Sequence, residues 1–311
     1  MAISLKVLVT GAAGFIGSHT VDQLLAAGHE VWGVDNFRTG RRENSALALP
    51  NNRFRLAELD VAEERDFVEF VGKVKPDAII HLAALVSVPE SIANPALNDR
   101  LNFQATRIVA EAARQHRVQR IVFASSAAVY GDPAETPITE DAPKKPLSPY
   151  GVAKLASEEL LFASAADYGF VVRCQRYFNV YGPRQDPLSP YSGVISLFVD
   201  CARNHRPPTI FGDGEQTRDF ISVHDVARAN VIAATKQELK SGVANICTGT
   251  ANSINEVWTQ ISRKQAIPLG ADPAPFRLGD IRRSQGLPEG ARSAFGFEAE
   301  ITFKKGLGAL I

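Results

Sequence analysis

Short apolar runs recur along the first 176 residues, at Leu5–Thr10, Glu30–Val34, Phe54–Leu59, Asp77–Leu82, Gln119–Ala124 and Phe170–Arg176. The first is almost unbroken, the pattern of a strand buried on both faces of a parallel sheet. Between the runs lie longer stretches with helical spacing: Phe15–Ala27, Glu63–Lys73, Pro95–His116 and Tyr150–Tyr168. The last of these carries Leu155, Leu160, Leu161 and Ala165 on an apolar face. Strand and helix in regular alternation predict an α/β fold, a Rossmann-type doubly wound parallel sheet with helices on both faces. From Tyr177 the pattern changes. Turn signals cluster at Gly182-Pro183, Pro207-Pro208 and Gly212-Asp213-Gly214. Helices are expected near Gly193–Asn204, His224–Thr235 and Ile254–Arg263, with short strands near Thr209–Phe211 and Val243–Cys247. The expected division is 1–176 for the doubly wound domain, with 220–250 contributing in part, and 177–311 for a smaller mixed α/β C-terminal substrate domain interleaved with it.

Composition narrows the function classes. The chain has 311 residues, enough for a substantial core. Lys+Arg and Asp+Glu both number 34, so no excess charge draws it to nucleic acid or an anionic membrane surface. No apolar run reaches membrane-spanning length. Met1–Gly17 superficially resembles a signal peptide, but Lys6 and Thr10-Gly11 interrupt it and it reads as a first strand. Cys174, Cys201 and Cys247 are scattered without metal-type spacing, so no metal is expected and a reduced, cytoplasmic setting is the simplest reading.

Candidate chemistry begins at Gly11-Ala12-Ala13-Gly14-Phe15-Ile16-Gly17, directly after the first strand. Here glycines allow a tight turn, close backbone approach to phosphate and close helix–strand packing. The following helix presents its N-terminus to a pyrophosphate. Asp35 ends the second strand about twenty residues on, where a carboxylate accepts from both ribose hydroxyls. It repels a 2′-phosphate, so the expected cofactor is NAD rather than NADP; Arg38, Arg41 and Arg42 close behind soften that preference. Asp60-Val61 is expected beside the adenine, with Asp60 also a candidate helix cap. Small residues in Leu82-Ala83-Ala84 let the dinucleotide backbone approach. His81 reads as a satisfied core histidine rather than a base. Asn102 reads as a structural hydrogen-bonder that also reaches the cofactor loop.

Tyr150 and Lys154 are four apart and lie on one helical face if Ser148-Pro149 opens a helix. An ammonium near the phenol is expected to lower its pKa and make it a base, with Ser126 sharing a substrate hydroxyl. Alone, a Tyr-x-x-x-Lys spacing is common by chance; its place downstream of the Gly11 fingerprint gives it weight. Arg218, Arg277, Arg282 and Arg283 offer guanidinium forks to a diphosphate.

Thr10–His19, Ser126 and the Tyr150/Lys154 pair resemble the extended short-chain dehydrogenase/reductase superfamily. The similarity continues through Arg176-Tyr177-Phe178-Asn179-Val180-Tyr181-Gly182 and Gly212–Phe220, and so covers nearly the whole chain. Within that superfamily the chain resembles the NAD-dependent UDP-hexose 4-epimerases. The resemblance implies catalysis by Ser126, Tyr150 and Lys154. It implies NAD contacts at Gly11, Gly14, Phe15, Ile16, Gly17, Asp35, Asn36, Phe37, Asp60, Val61, Leu82, Ala83, Ala84, Asn102, Tyr150, Lys154 and Phe178. For the UDP-sugar it implies Ser126, Tyr150, Asn179, Val194, Arg218, Arg277, Asp280 and Ser284. Related dehydratases carry an acid just after the catalytic Ser/Thr, whereas Ala127 and Ala128 stand here, which disfavours elimination. Relatives restricted to glucose and galactose carry a bulky Tyr where this chain has Ser284, so room for an N-acetyl group is expected. A 4-keto nucleotide-sugar reductase, and epimerisation of UDP-glucuronate or ADP-heptose, stay open at this point. The helices at Pro95–His116 and Tyr150–Tyr168 resemble those of a four-helix homodimer interface.

Overall fold

The computed structural model describes residues 4–186, 193–265, 270–276 and 280–311. In chain order the main elements are β1 (Lys6–Thr10), α1 (Phe15–Ala26), β2 (Glu30–Asp35), β3 (Phe54–Glu58), α2 (Glu64–Val74) and β4 (Ala78–His81). Then come α3 (Val88–Ala93), α4 (Pro95–Asn98), α5 (Ala105–His116), β5 (Arg120–Ser126), α6 (Pro149–Tyr168), β6 (Val171–Tyr177) and β7 (Asn179–Tyr181). The remainder are α7 (Val194–Arg203), β8 (Thr209–Phe211), β9 (Thr217–Ser222), α8 (Val223–Thr235), β10 (Gly242–Ile246), β11 (Ala251–Ser253), α9 (Ile254–Gln265), β12 (Asp272–Ala274), α10 (Glu289–Phe295) and α11 (Phe303–Gly308).

Seven strands form one parallel sheet in the order β10-β6-β5-β4-β1-β2-β3. Strand order reverses at β1, which opens a crevice beyond the carboxyl ends of β1 and β4. Alternate residues of β1 face opposite sides of the sheet. Val7 and Val9 pack with Leu24 of α1 and Val226 and Ala229 of α8 on one side. Leu8 packs with Phe67 of α2, Val109 of α5 and Leu161 of α6 on the other. Each such fully buried side chain contributes roughly 1.5–3 kcal/mol, which is why these strands read so clearly as apolar. A separate cluster around Tyr181, Phe198, Trp258 and Ile261 forms the core of the C-terminal region.

The strand expected near Val243–Cys247, within the 220–250 stretch expected to contribute to the doubly wound domain, is β10, an edge of the large sheet paired with β6 from Gly242↔Arg173 to Ile246↔Tyr177. Two elements differ from expectation. The helix expected over Pro95–His116 is not one α-helix. Between α4 and α5, Asp99–Gln104 is wound as a π-helix, which turns Leu101 and Asn102 inward. Finally, β7, β9 and β11 form a small three-stranded sheet that the turn-rich sequence does not betray.

Candidate active site

The Gly-rich turn is closed by backbone, not side chains. Gly11 has φ +68°, and a Cβ there would stand 2.9 Å from the Ala83 nitrogen across the crevice. A Cβ on Gly17 would fall 1.9 Å from the Gly11 carbonyl oxygen, so only hydrogen lets α1 lie on its own entry loop. Gly14 caps α1 without any side-chain acceptor, so no side chain competes for the first-turn N–H groups. A turn that any Cβ would fill, opening onto a helix N-terminus, fits a dinucleotide pyrophosphate. Phe15 and Ile16 stand half-buried at that terminus. Gly17→Ala is therefore expected to weaken NAD binding at least about tenfold and to lower the unfolding free energy by about 2 kcal/mol. Nucleotide released on denaturation, and urea titration, measure the two.

Asp35 is buried at the end of β2 and accepts from the Ala13 and Phe37 N–H groups at 2.9 and 2.8 Å. Burial pushes its carboxyl up, opposed by those N–H groups. Asn36 is exposed and Phe37 half-buried, with the Arg42 guanidinium 4.2 Å over its ring. The three following arginines each have an acidic partner: Arg38 with Glu90, Arg41 with Asp186, Arg42 with Glu58. Because each guanidinium is matched by a carboxylate, they do not offset Asp35, and the softening expected from them falls away.

Asp60 is not a helix cap. Its carboxylate accepts from Ala62 N–H at 2.9 Å and from Arg100 at 3.2 Å, while α2 begins at Glu64 after its N-cap Glu63. Val61 is buried in the core behind it. His81 is a core residue with both ring nitrogens partnered, Nδ1 to Thr10 Oγ1 at 2.8 Å and Nε2 to Thr106 Oγ1 at 3.3 Å. Burial takes its pKa down to about 3, so it stays neutral. Thr10 Oγ1 also accepts from the Leu82 and Ala83 N–H groups, both at 3.2 Å. Asn102 accepts from Leu85 N–H and donates to its carbonyl, both at 3.0 Å. This web holds the Leu82-Ala83-Ala84 wall opposite Gly11. Thr10 is the member that sequence reasoning missed, because a strand-end threonine carries no signal by itself.

Ser126 ends β5, and Ser148 caps α6 by accepting from Gly151 N–H at 3.2 Å, with Pro149 at the first position. A Cβ on Gly151 would meet the Ala128 carbonyl oxygen at 2.7 Å, so the helix start lies directly on the turn after Ser126. Ser126 Oγ accepts from Ala128 N–H at 3.1 Å and is hydrogen-bonded to the Tyr150 phenol. Lys154 Nζ is buried, donates to the Ala124 carbonyl at 2.8 Å, and lies 5.8 Å from the Tyr150 ring centroid and 4.8 Å from that of Phe123.

The phenol is not acidified as the spacing predicts. Burial pushes the Tyr150 pKa up, and only the Ser126 hydrogen bond opposes it. The ammonium meant to lower it is itself desolvated, its pKa down to about 7, and its proton is directed to a backbone carbonyl. The pair rule captures proximity but leaves out the burial that both groups share.

The remaining positions gather around β9. Asn179 is exposed at the start of β7, paired with Phe220 of β9. Arg218 is ion-paired with Asp280, and Ser284 is buried, its N–H donating to the Thr217 carbonyl at 3.1 Å. Val194 opens α7, half-buried. Arg282 is turned to Asp213 at 2.7 Å. Arg277 lies outside the described residues. Phe178 is buried among Val129, Ile138 and Cys247, so its ring is a core residue rather than a face of the crevice. Asp219 accepts from Thr248, Gly249 and Gly286 N–H groups at 2.9, 2.9 and 3.2 Å, which ties the segment bearing Ser284 to β9.

Known proteins agree with this geometry. The model of the NAD dependent epimerase/dehydratase family matches residues 7–247. A UDP-glucose 4-epimerase of Mycolicibacterium smegmatis is 38% identical over 304 residues, covering 97% of this chain and 96% of that protein. A UDP-N-acetylglucosamine 4-epimerase of Methanobrevibacter ruminantium, solved with UDP-N-acetylmuramic acid, superposes with TM-score 0.92 at 35% identity, covering 99% of this chain and 96% of that one. A UDP-glucose 4-epimerase of Thermus thermophilus, solved with NAD, gives TM-score 0.87 at 33% identity over 97% and 96% of the two chains.

Proposed function

The chain belongs to the NAD dependent epimerase/dehydratase family and is an NAD-dependent epimerase, and from that premise we propose that it inverts C4 of a UDP-hexose. The observation that carries the reading is the hydrogen-bonded Ser126–Tyr150 pair with Lys154 one turn on, at the carboxyl end of β5, in the same parallel sheet whose β1 runs into the Gly11–Gly17 cradle with β4 between them. Gly11, Gly14, Gly17 and Asp35 are the residues that hold the dinucleotide. NAD held there would supply a reversible hydride acceptor for C4 of the sugar, with no net redox change over the cycle. Tyr150 acts in its phenolate form, the minority form that its raised pKa leaves: the phenolate takes the proton of the sugar 4-hydroxyl, Ser126 steadies that hydroxyl, and the resulting phenol later gives the proton back. Between the two events the 4-keto sugar turns over. The chain must therefore grip the nucleotide firmly and the sugar loosely, and Arg218 with Asp280, together with Asn179, supplies that grip.

The preferred sugars are UDP-GlcNAc and UDP-GalNAc, with UDP-Glc and UDP-Gal also turned over. Support comes from the small Ser284, at the position where the family resemblance implies a bulky Tyr in glucose- and galactose-restricted relatives, and from the likeness to a UDP-N-acetylglucosamine 4-epimerase. Each nucleotide sugar is incubated separately with no added cofactor, and C4 inversion is followed by NMR. Inversion of both, faster for the N-acetyl sugar, is expected; stoichiometric NADH oxidation on a keto sugar without inversion would instead mark a reductase. Ser284→Tyr is expected to lower turnover of UDP-GlcNAc about tenfold more than that of UDP-Glc, in line with a lost steric allowance of a kcal/mol or so.

The working form is a cytoplasmic homodimer. Val152 of α6 is exposed beside Pro149 and Phe103, with Ile92 and Leu147 exposed nearby, an apolar face suited to a second copy. Light scattering at twice the chain mass is the expected result.

A further inference from the structure

Glu158 and Arg176 are a buried ion pair that the chemistry above does not use, each side chain only 3% exposed. Glu158 lies one turn beyond Lys154 and two beyond Tyr150, on the same face of α6. Three successive turns of that helix thus meet the last three residues of β5. Tyr150 bonds the Ser126 hydroxyl, Lys154 the Ala124 carbonyl, and Glu158 Oε1 accepts from Ser125 Oγ. Arg176 of β6 fixes that carboxylate from the far side, Nε to Oε1 at 2.9 Å and Nη2 to Oε2 at 2.6 Å. Its Nη1 donates to the Tyr130 phenol oxygen at 2.9 Å and the Glu140 carbonyl at 3.0 Å, and Tyr130 donates to Asn245 of β10 at 2.6 Å. Two buried charges are expensive to desolvate, and an apolar pair of similar volume would hold the elements together as well. A role besides stability accounts for their place here.

We propose that Glu158 is a positioning residue for the Tyr150–Lys154 pair: its carboxylate, clamped by Arg176, locks α6 onto the end of β5 and is the negative charge that keeps the Lys154 ammonium protonated. The role rests on the epimerase reading. The groups facing Lys154 identify Glu158 as that charge. From α6 come Tyr150 and Glu158; from β5 the Phe123 ring and the Ala124 carbonyl; from β4 His81; from β6 Cys174 and Arg176. Burial keeps His81 and the Cys174 thiol neutral and Tyr150 in its phenol form, and Arg176 is itself cationic. Burial lowers Lys154, and the first influence opposing it is Glu158.

Glu158→Gln in the holoenzyme is expected to lower kcat about tenfold or more, with KM for the UDP-sugar within about threefold. The alkaline limb of the kcat–pH profile should move acid-ward by about one pH unit. Lys154, followed by NMR of the 13C-labelled lysine side chain, should deprotonate correspondingly earlier. Glu158→Asp, which keeps the charge, should restore the limb. A wild-type limb and lysine titration in Glu158→Gln overturn the proposal, as does a kcat loss that only mirrors a lost folded fraction. If Glu158→Gln does not fold, the double variant Glu158→Leu/Arg176→Met removes both charges; early Lys154 deprotonation supports the proposal and a wild-type titration overturns it. The NMR arm needs no turnover. A chain that fails to epimerise any UDP-hexose therefore defeats the proposed function while the lysine titration still decides this inference.

Discussion

Tyr150→Phe is expected to lower turnover about 10³-fold while leaving the fold, the NAD content and the affinity for UDP unchanged. The substitution deletes one oxygen. The ring remains over Lys154 Nζ, whose anchor is the Ala124 carbonyl at 2.8 Å and not the phenol. Ser126 keeps its bond from Ala128 N–H at 3.1 Å, so its hydroxyl is not set free. What disappears is the group that takes the sugar proton. Because burial raises the phenol's pKa, loss of the oxygen also relieves no buried charge, and the melting temperature should shift little. Turnover with UDP-Glc or UDP-GlcNAc, alongside a thermal melt, checks both halves. Turnover within tenfold of wild type would transfer the proton to another group and overturn the assignment.

How far the site could be read from residues alone depends on whether each contact is local. Gly11, Gly17 and Asp35 stand in a strand–turn–helix–strand unit whose chemistry is set by short spacings, and the structure brings them together as expected. Tyr150 and Lys154 are one helical turn apart, so their shared face follows from the period. The strands β1 to β6 were legible because a strand buried on both faces has to be apolar. β10 was legible only coarsely: a strand near Val243–Cys247 and a contribution of 220–250 to this domain were expected, but five residues carry no mark of which sheet edge they will join.

The misses share a cause. Glu158 and Arg176 meet across α6 and β6, eighteen residues apart; in sequence one is a polar helix residue and the other an interruption in an apolar strand. A charge inside a central strand is itself a signal that a buried partner is waiting, and it was available. The phenol's pKa was misjudged for a related reason. Two residues at helical spacing predict a Coulombic effect, but burial depends on how β5, β6 and the turn after Ser126 close around them, which no local window contains. Asp60 fits the same account: its spacing suits a cap, but Arg100 from the π-wound stretch draws its carboxylate elsewhere.

Lys154→Met is expected to lower turnover about 10³-fold and, at neutral pH, to raise stability. Lys154 is 3% exposed, and burial brings its pKa from the usual 10.5 down to about 7. A base whose folded-state pKa is depressed binds its proton less tightly when folded than when unfolded. Its burial therefore costs stability in full below about pH 7, and the cost fades as pH rises through the window up to 10.5, where the unfolded chain also loses the proton. Methionine fills similar space without charge and removes that cost, less about 1 kcal/mol for the hydrogen bond lost from the Ala124 carbonyl. The variant should melt above wild type at pH 6.5 and converge on it near pH 10, while staying inactive at both. Melting curves at the two pH values decide it: a variant less stable than wild type at pH 6.5 would mean that the ammonium is well solvated or fully paired in its site. A stabilising, inactivating substitution is what is expected where a buried charge is retained for its chemistry.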